Sequence, residues 1–203
     1  TESLETGMSN LPCAIDGSCS GIQHYSMALR DQRGAESVNL TPSATPSDVY
    51  TDVADTLVEI LKAEAEDGEE YAKAWLDSGW IGRKTVKQPV MTKAYGVTQQ
   101  GVLEQVRSWA DEKARTAQHP FDDLTKATQY LGDRVNVAIE KSVEAPVVAM
   151  QRLQDACKIL NKRNIHAQFV APTGFQVTQS YNKWKSMASQ IKTIVNGNMA
   201  KVW

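Results

Sequence analysis

Long hydrophobic runs are missing from this sequence, and their absence argues against a membrane-spanning helix. No apolar stretch approaches the ~18–20 residues that a span requires. The first residues, Thr1–Gly7, have neither the basic nor the apolar region of a secretory signal. We therefore expect no membrane partner, and a location in the cytoplasm or in an organelle matrix.

Cysteine is also scarce. The three cysteines, Cys13, Cys19 and Cys157, are odd in number and form no Cys-x-x-Cys pair. This pattern favours neither a disulfide framework nor a zinc site. We expect each of the three side chains to serve packing.

The chain lacks the basic excess that nucleic-acid-binding proteins usually need to neutralise phosphates, because its formal net charge is −2. The two signs are nevertheless segregated along the sequence. The only charges in Ser78–Leu103 are four cations, and Ala156–Trp203 carries seven Lys or Arg residues and no acid. One face of the folded chain could therefore be strongly positive, although ordinary solvated surface is the alternative explanation.

With 203 residues, of which 41% are hydrophobic and 23% charged, the chain fits a globular fold with a sizeable core. Hydrophobic periodicity, helix-start signals and turn signals predict a mainly helical α+β fold. The first predicted elements are a strand over Leu11–Ile15, a helix over Gly21–Arg30 capped by Ser20, and a loop over Asn39–Ser47. Four helices follow: one starting at Ser47-Asp48, one over Glu69–Asp77, one over Arg83–Ala94 and one from Thr98 to Arg115. The last predicted elements are a mostly helical region over Phe121–Arg163, broken at Pro146, and a β-hairpin over His166–Ser180.

The first stretch with chemical content is Asp16–His24. Its carboxylate follows the predicted strand, and the small residues after it allow a backbone or an ion to approach closely. Asp16 is thus a candidate Mg²⁺ ligand. An aspartate that merely caps a turn is the alternative for an isolated Asp-Gly pair.

The second such stretch is Arg83–Gly96. On a helix, Arg83 and Lys87 share one face, and Tyr95 lies about 12 Å beyond Lys87 along the axis. Two cations could hold a triphosphate, while the tyrosine ring and hydroxyl sit against a sugar and base. The alternative is a solvated basic helix whose Tyr95 packs at its end. Pro89 should kink this helix or remove one of its hydrogen bonds.

Together the two stretches resemble a known family. Asp16–His24 is similar to the A motif, and Arg83–Gly96 to the B motif, of single-subunit RNA polymerases of phages and mitochondria. The resemblance is strong to about Gly101 and looser afterwards. Further segments that resemble this family are Arg30-Asp31, Val38–Leu40, Pro42-Ser43, Asp48–Tyr50 and Pro172–Phe175.

The resemblance implies a role for each matching residue near the metal and the triphosphate. Asp16 corresponds to one of two aspartates that hold a catalytic Mg²⁺ pair, with the Gly17 carbonyl as a further ligand. Arg83 and Lys87 correspond to triphosphate contacts, and Lys87 to the group that protonates the departing pyrophosphate.

The same resemblance implies roles at the other end of the helix. Tyr95 corresponds to the residue that senses the ribose 2′-hydroxyl and, with Gly96, lies beside the template base. Tyr50 is expected near the template. Gln88 and Pro89 depart from the phage pattern in the middle of the helix.

The family supplies its second aspartate from a later His-Asp-Ser motif, and this sequence contains no His-Asp pair. We therefore expect an internal fragment of a right-hand polymerase, with a palm fragment over residues 1–44 and a fingers region over 45–203. The implied parent is a DNA-directed RNA polymerase that uses ribonucleoside triphosphates, a DNA template and Mg²⁺, and releases RNA. On its own the fragment should be inactive, and its uncovered edge could allow self-association.

Two other functions remain open. The chain could be a non-catalytic nucleotide or nucleic-acid binding module, or a relative of DNA polymerases. Gly17–Gly21 and Gln23-His24 fit the RNA polymerase form better than the DNA polymerase form. The expected location is the cytoplasm of a phage-infected or prophage-bearing bacterium, with the mitochondrial matrix as the alternative.

Overall fold

The computed structural model describes Pro12, Ala14 and residues 16–117, 120–179, 191–195 and 198–202. Within these residues the chain forms eight helices and four short strands, which confirms the mainly helical α+β class. The helices are α1 Ser20–Leu29, α2 Gln32–Ser37, α3 Val49–Glu66, α4 Glu70–Ser78, α5 Arg83–Lys93, α6 Gln99–Thr116, α7 Leu124–Ser142 and α8 Glu144–Lys162; the strands are β1 Ala167–Val170, β2 Gln176–Gln179, β3 Ile191–Val195 and β4 Asn198–Val202.

The chain divides into two compact units, Thr1–Arg152 and Leu153–Trp203. The first holds α1 to α7 and the start of α8, and the second holds the end of α8 and the two hairpins. The predicted boundary between palm and fingers at residue 44 falls within the first unit, and the division stays a prediction. In the described part of the chain, no helix is both long enough and apolar enough to cross a membrane.

Side-chain caps fix several helix starts. Asp48 accepts a hydrogen bond from the Tyr50 N–H at the start of α3, and Thr98 accepts one from the Gly101 N–H at the start of α6. Both starts were predicted. The predicted cap at Ser20 is wrong, because Ser20 is already the first helical residue and Cys19 is the N-cap, with φ 64° and no side-chain cap bond.

Pro89 and Pro146, the two prolines that were expected to disturb helices, have different effects on them. Pro89 lies inside α5, which continues through it to Lys93, so the lost N–H removes one backbone bond without ending the helix. The predicted break at Pro146 is displaced, because α7 ends at Ser142 and Pro146 lies in the first turn of α8. A first-turn N–H has no helical partner, so proline is tolerated there.

Helix α3 is at the centre of the first unit and packs against α4, α5 and α7, while α6 packs against α5 and α7. Its buried face includes Val53, Leu57 and Leu61. At its far end the Glu64 carboxylate binds the Arg134 guanidinium of α7, with Nε–Oε2 at 2.9 Å, and also accepts the Tyr130 hydroxyl. These contacts fix α3 against α7 along its length.

A cluster of four aromatic side chains, Trp75, Trp80, Trp109 and Phe121, forms another part of the core of the first unit. Trp75 is fully buried, and its ring lies 4.2 Å from the Phe121 ring and 6.3 Å from the rings of both Trp80 and Trp109, measured between centroids. Its indole N–H donates to the Ala127 carbonyl at 2.9 Å. The buried indole thus has the hydrogen bond that its burial requires.

In the second unit, β1 and β2 pair antiparallel from Ala167↔Gln179 to Val170↔Gln176, which confirms the predicted hairpin. The hairpin of β3 and β4, paired from Ile191↔Val202 to Val195↔Asn198, was not predicted. The strand expected over Leu11–Ile15 lies mostly outside the described residues; its two described members, Pro12 and Ala14, belong to no helix or strand.

Replacing a buried leucine of α3 should destabilise the first unit far more than replacing an exposed leucine. Leu57 is fully buried whereas Leu29 is 45% exposed. We expect Leu57→Ala to lower the free energy of unfolding by about 2–5 kcal/mol, because a cavity adds to the lost burial. Leu29→Ala, the same chemical change, should cost less than about 1 kcal/mol. Urea unfolding followed by circular dichroism measures both, and equal losses would contradict this description of the core.

Candidate functional site

A concavity of about 440 Å³ lies where the segment before α1, the start of α3 and one face of α5 meet. It brings together five of the six predicted site residues and leaves out Gly96. The residues that line it are Asp16, Gly17, Ser18, Cys19, Ser20, Gly21, Ser47, Asp48, Val49, Tyr50, Arg83, Lys87, Met91 and Tyr95. Both sequence motifs therefore contribute to one surface.

The Asp16-Gly17 segment forms the acidic end of this concavity. Asp16 is exposed, and its Oδ1 accepts the Gly17 N–H at 2.8 Å. The Gly17 carbonyl, the predicted further metal ligand, accepts the Cys19 N–H at 3.1 Å. A Cβ added at Gly17 would lie 2.6 Å from the Gln23 Oε1 atom, so a larger residue there would require the Gln23 side chain to move.

Asn39 fastens this segment to the start of α3. Its side-chain amide donates to the Ser18 hydroxyl at 3.2 Å and to the Ser47 carbonyl at 2.8 Å, and its Oδ1 accepts the Ser47 N–H at 2.7 Å. Its backbone has φ 60°, a left-handed conformation that asparagine tolerates better than most residues. The sequence predicts only a loop at Asn39, and nothing in its local pattern indicates these hydrogen bonds.

The opposite wall is cationic and comes from α5, where Arg83 and Lys87 lie one turn apart. The Arg83 Nε is 2.6 Å from Asp48 Oδ2, and its guanidinium carbon lies 4.8 Å from the centre of the Tyr50 ring. Lys87 is exposed and forms no ion pair with any described residue. The Lys87 ammonium can therefore approach an anion without first leaving a carboxylate of the described residues.

Electrostatics keeps Asp48 charged and Tyr50 neutral. Partial burial raises the pKa of the Asp48 carboxyl, but hydrogen bonds from Arg83, the Thr51 hydroxyl and the Tyr50 N–H outweigh this and hold it below its usual value. Burial raises the pKa of Tyr50, and contact with the Cys19 side chain raises it further. The Tyr50 ring thus presents a neutral, electron-rich face to Arg83.

Close packing sets the far end of the concavity. A Cβ added at Gly21 would lie 2.6 Å from the Ala94 Cβ and 3.4 Å from the Tyr95 Cζ, so the first turn of α1 touches the end of α5. Tyr95 itself remains 72% exposed. The Lys93 ammonium holds this end of α5 to α7 through Asn136 at 3.3 Å and Glu140 at 3.2 Å.

The acidic residues here do not make a complete metal site. Among the residues that the structure describes, no group of three or more His, Cys, Asp or Glu side chains is placed to hold an ion. Asp16 and Asp48 are the acids in the lining, and Asp48 is already paired with Arg83. Asp16 alone fits as one carboxylate ligand of a magnesium ion whose other ligands must come from elsewhere.

Comparison with known proteins gives a consistent match. Residues 1–202 match the family model of DNA-dependent RNA polymerase. DNA-directed RNA polymerase 1, mitochondrial, of Arabidopsis thaliana is 36% identical over 186 residues, which cover 88% of this chain and 18% of that protein.

Two further relatives give similar values. DNA-directed RNA polymerase 2A of Nicotiana tabacum is 34% identical over 90% of this chain and 56% of its own length. The mitochondrial DNA-directed RNA polymerase of Mus musculus is 34% identical over 87% of this chain and 14% of its own length. The chain therefore spans between about one seventh and just over half of the curated relatives it matches.

A methyl group at Gly21 should force α1 away from α5. We expect Gly21→Ala to lower the free energy of unfolding by about 1–3 kcal/mol, because its Cβ would overlap that of Ala94. Gly82→Ala is the matched control, since Gly82 has an extended backbone with φ 176° and nothing within 4 Å of an added Cβ. Because Gly82 is the N-cap of α5 and alanine is a poorer N-cap than glycine, its cost should stay below about 1 kcal/mol. Urea unfolding compares the two, and a tolerated Gly21→Ala would contradict the close contact.

Two aspartates of the α3 start should respond to pH with opposite signs. The lowered pKa of Asp48 means that its contribution to stability is present above the unfolded pKa of about 3.9 and is lost as the pH falls through the folded value. The pKa of Asp52 is raised by burial and by the charges of Asp48 and Asp55, so its ionisation destabilises the fold at neutral pH.

Relative to the unmodified chain, Asp48→Asn should therefore be destabilised more at pH 7 than at pH 3. Asp52→Asn should gain stability at pH 7 relative to pH 3. Chemical unfolding at several pH values measures both differences. Changes of the same sign in both variants would contradict the assignment of these two pKa shifts.

Proposed function

This chain belongs to the DNA-dependent RNA polymerase family, and from that membership we propose that the protein containing it transfers nucleotidyl groups from ribonucleoside triphosphates to RNA on a DNA template. The observation that carries the proposal is the single concavity in which Arg83 and Lys87 face Asp16. Because the chain spans only part of its relatives, the activity is proposed for the larger protein. The isolated chain is proposed to be inactive.

Arg83 and Lys87 are proposed to bind the triphosphate. The concavity of about 440 Å³ falls within the range of ordinary small-molecule sites. The Nη groups of Arg83 form no hydrogen bond with described residues, so their N–H groups are free to donate to phosphate oxygens. Lys87 is proposed to give a proton to the pyrophosphate oxygen as its bond to the α-phosphorus breaks.

Tyr95 and Gly96 are proposed to act on the nucleoside side. The exposed hydroxyl of Tyr95 in the lining supports contact with the ribose 2′-hydroxyl. Gly96 follows the helix with φ 81° and lies outside the lining, so its place beside the template base rests on the family motif. Tyr50 is also proposed to lie near the template.

Magnesium is proposed as the cofactor of the larger protein, with Asp16 and the Gly17 carbonyl as ligands. Bound there, it would supply positive charge to the phosphates. The single unpaired carboxylate supports one ligand position and no more. The remaining carboxylate would come from another part of the polymerase.

Family membership supports a DNA template and nucleotide substrates as partners in general, and RNA as the product is proposed with them. The names of the Arabidopsis and mouse relatives support the mitochondrial matrix as the compartment. The cytoplasm of a phage-infected or prophage-bearing bacterium stays a prediction that these relatives do not test. A non-catalytic nucleotide-binding module is the second candidate function, favoured by a phosphate-binding wall that lacks a full set of acids.

Removing either cation from the concavity should weaken nucleotide binding by the 203-residue chain. We expect Arg83→Ala and Lys87→Ala each to raise the dissociation constant for ATP by about tenfold, since a charged hydrogen bond to phosphate is lost. Lys84→Ala is the matched control, because Lys84 is also exposed on α5 but does not line the concavity. Fluorescent ATP titrated at low and high salt measures all three.

Equal losses in all three variants would show binding to a general basic surface and contradict the proposed site. Template-dependent incorporation of labelled ribonucleotide separates the two candidate functions. The larger polymerase should lose incorporation in Lys87→Ala, and a binding module would show none in any form. Incorporation by the isolated chain would contradict its proposed inactivity.

A further inference from the structure

Asp48 approaches the cationic wall from the start of α3, and no metal or substrate role accounts for it. We infer that Asp48 is a positioning residue for Arg83: it holds one edge of the guanidinium so that the other edge faces the triphosphate. This inference rests on the proposed function, because it concerns how the same site binds its nucleotide. It adds a residue that the sequence motifs did not assign.

The Arg83 guanidinium is held on two sides. Its Nε edge donates to Asp48 Oδ2 at 2.6 Å, and its flat face lies on the Tyr50 ring at 4.8 Å. A planar fork held at one edge and one face has little rotational freedom left, and its Nη edge then points in a fixed direction. The side chain is still 48% exposed, so that edge is accessible from the concavity.

Asp48 is itself held rigidly enough to orient a neighbour. Its Oδ1 accepts the Tyr50 N–H at 3.2 Å and its Oδ2 accepts the Thr51 hydroxyl at 3.0 Å. The residue before it, Ser47, is held by the Asn39 amide. The carboxylate is thus a fixed point of the helix start rather than a mobile surface acid.

Lys87, the other cation of the concavity, is not held in this way. It lines the same concavity without an ion-pair partner among the described residues, so its ammonium can follow an anion as it moves. Of the two cations that line the concavity, only Arg83 is paired with a carboxylate from the described part of the chain. A carboxylate that merely competed for the cation would weaken phosphate binding, so its removal would strengthen binding. A positioning carboxylate predicts the opposite sign.

The test is Asp48→Asn in the larger polymerase, with steady-state kinetics for a ribonucleoside triphosphate. An asparagine side chain still caps α3 but loses the charged bond to Arg83. We expect the KM to rise about three- to tenfold with kcat changed less than about twofold, the size usual for coupling between neighbouring groups. Asp123→Asn is the matched control, because Asp123 caps α7 by the same kind of bond and lies outside the concavity.

A double-mutant cycle decides whether Asp48 acts through Arg83. Once Arg83→Ala is present, adding Asp48→Asn should change the KM no further. An additional rise of similar size in that background would overturn the inference, as would a KM that is unchanged or lower in Asp48→Asn alone. If Arg83→Ala alone leaves the KM unchanged, the proposed function of this site fails instead.

A second readout uses the 203-residue chain and does not depend on activity. The Arg83 Nε–H signal in an NMR spectrum should be protected from exchange in the unmodified chain and in Asp123→Asn. It should lose that protection in Asp48→Asn, while the backbone signals of α3 keep their positions. Retained protection in Asp48→Asn would overturn the positioning role, even if binding changed.

Discussion

The packing of α3 against α4, α5 and α7 is the constraint on which the candidate site depends. It places the start of α3, with Asp48 and Tyr50, beside the start of α5, with Arg83. The buried face of α3 and the Glu64 contacts to α7 fix the helix along its length. Because the two helix starts meet, a carboxylate, a neutral aromatic ring and a guanidinium form one rigid group at the edge of the concavity.

How much of the site could be predicted depended on whether its contacts are local in sequence. Arg83 and Lys87 share one helix and Tyr95 follows two residues after its end, so their spacing predicted that they lie near one another, and the resemblance joined them to Asp16. The roles of Asn39 and Asp48 in the site were not predicted, because their contacts join separate segments of the chain. Asn39 forms a hydrogen bond with Ser18, and Asp48 forms one with Arg83. The hydrophobic periodicity of a sequence gives no information about contacts between residues so far apart in the chain. Gly96 was included on family grounds and does not line the concavity.

The fold shows the same division. Where a helix has a cap and a long apolar stripe, the prediction was close: the start of α3 and both ends of α6 were predicted to within two residues. Helix α2 has only six residues, which is too short for a helical hydrophobic period to be recognised in the sequence. A side chain at Gly34 would clash with the Ser26 and Asp31 side chains, so the packing around α2 favours glycine at this position. The β3–β4 hairpin flanks Asn196-Gly197, a dipeptide typical of two-residue turns, but the strand pattern around it is brief.

The two halves of the chemistry in this concavity are unequally complete. The half proposed to bind phosphate has two cations on one helix face, and both are supplied by described residues: Arg83, which is paired with Asp48, and Lys87, which has no ion-pair partner among those residues. The half proposed to bind magnesium has one carboxylate without an ion-pair partner among the described residues, Asp16, because Asp48 is bound to Arg83. The proposed anion binding by α5 therefore does not depend on a metal, whereas the proposed magnesium site would need further carboxylate ligands to bind the ion firmly. The net charge of −2 does not indicate the local excess of cations on α5, because an excess of acidic residues elsewhere in the chain offsets it.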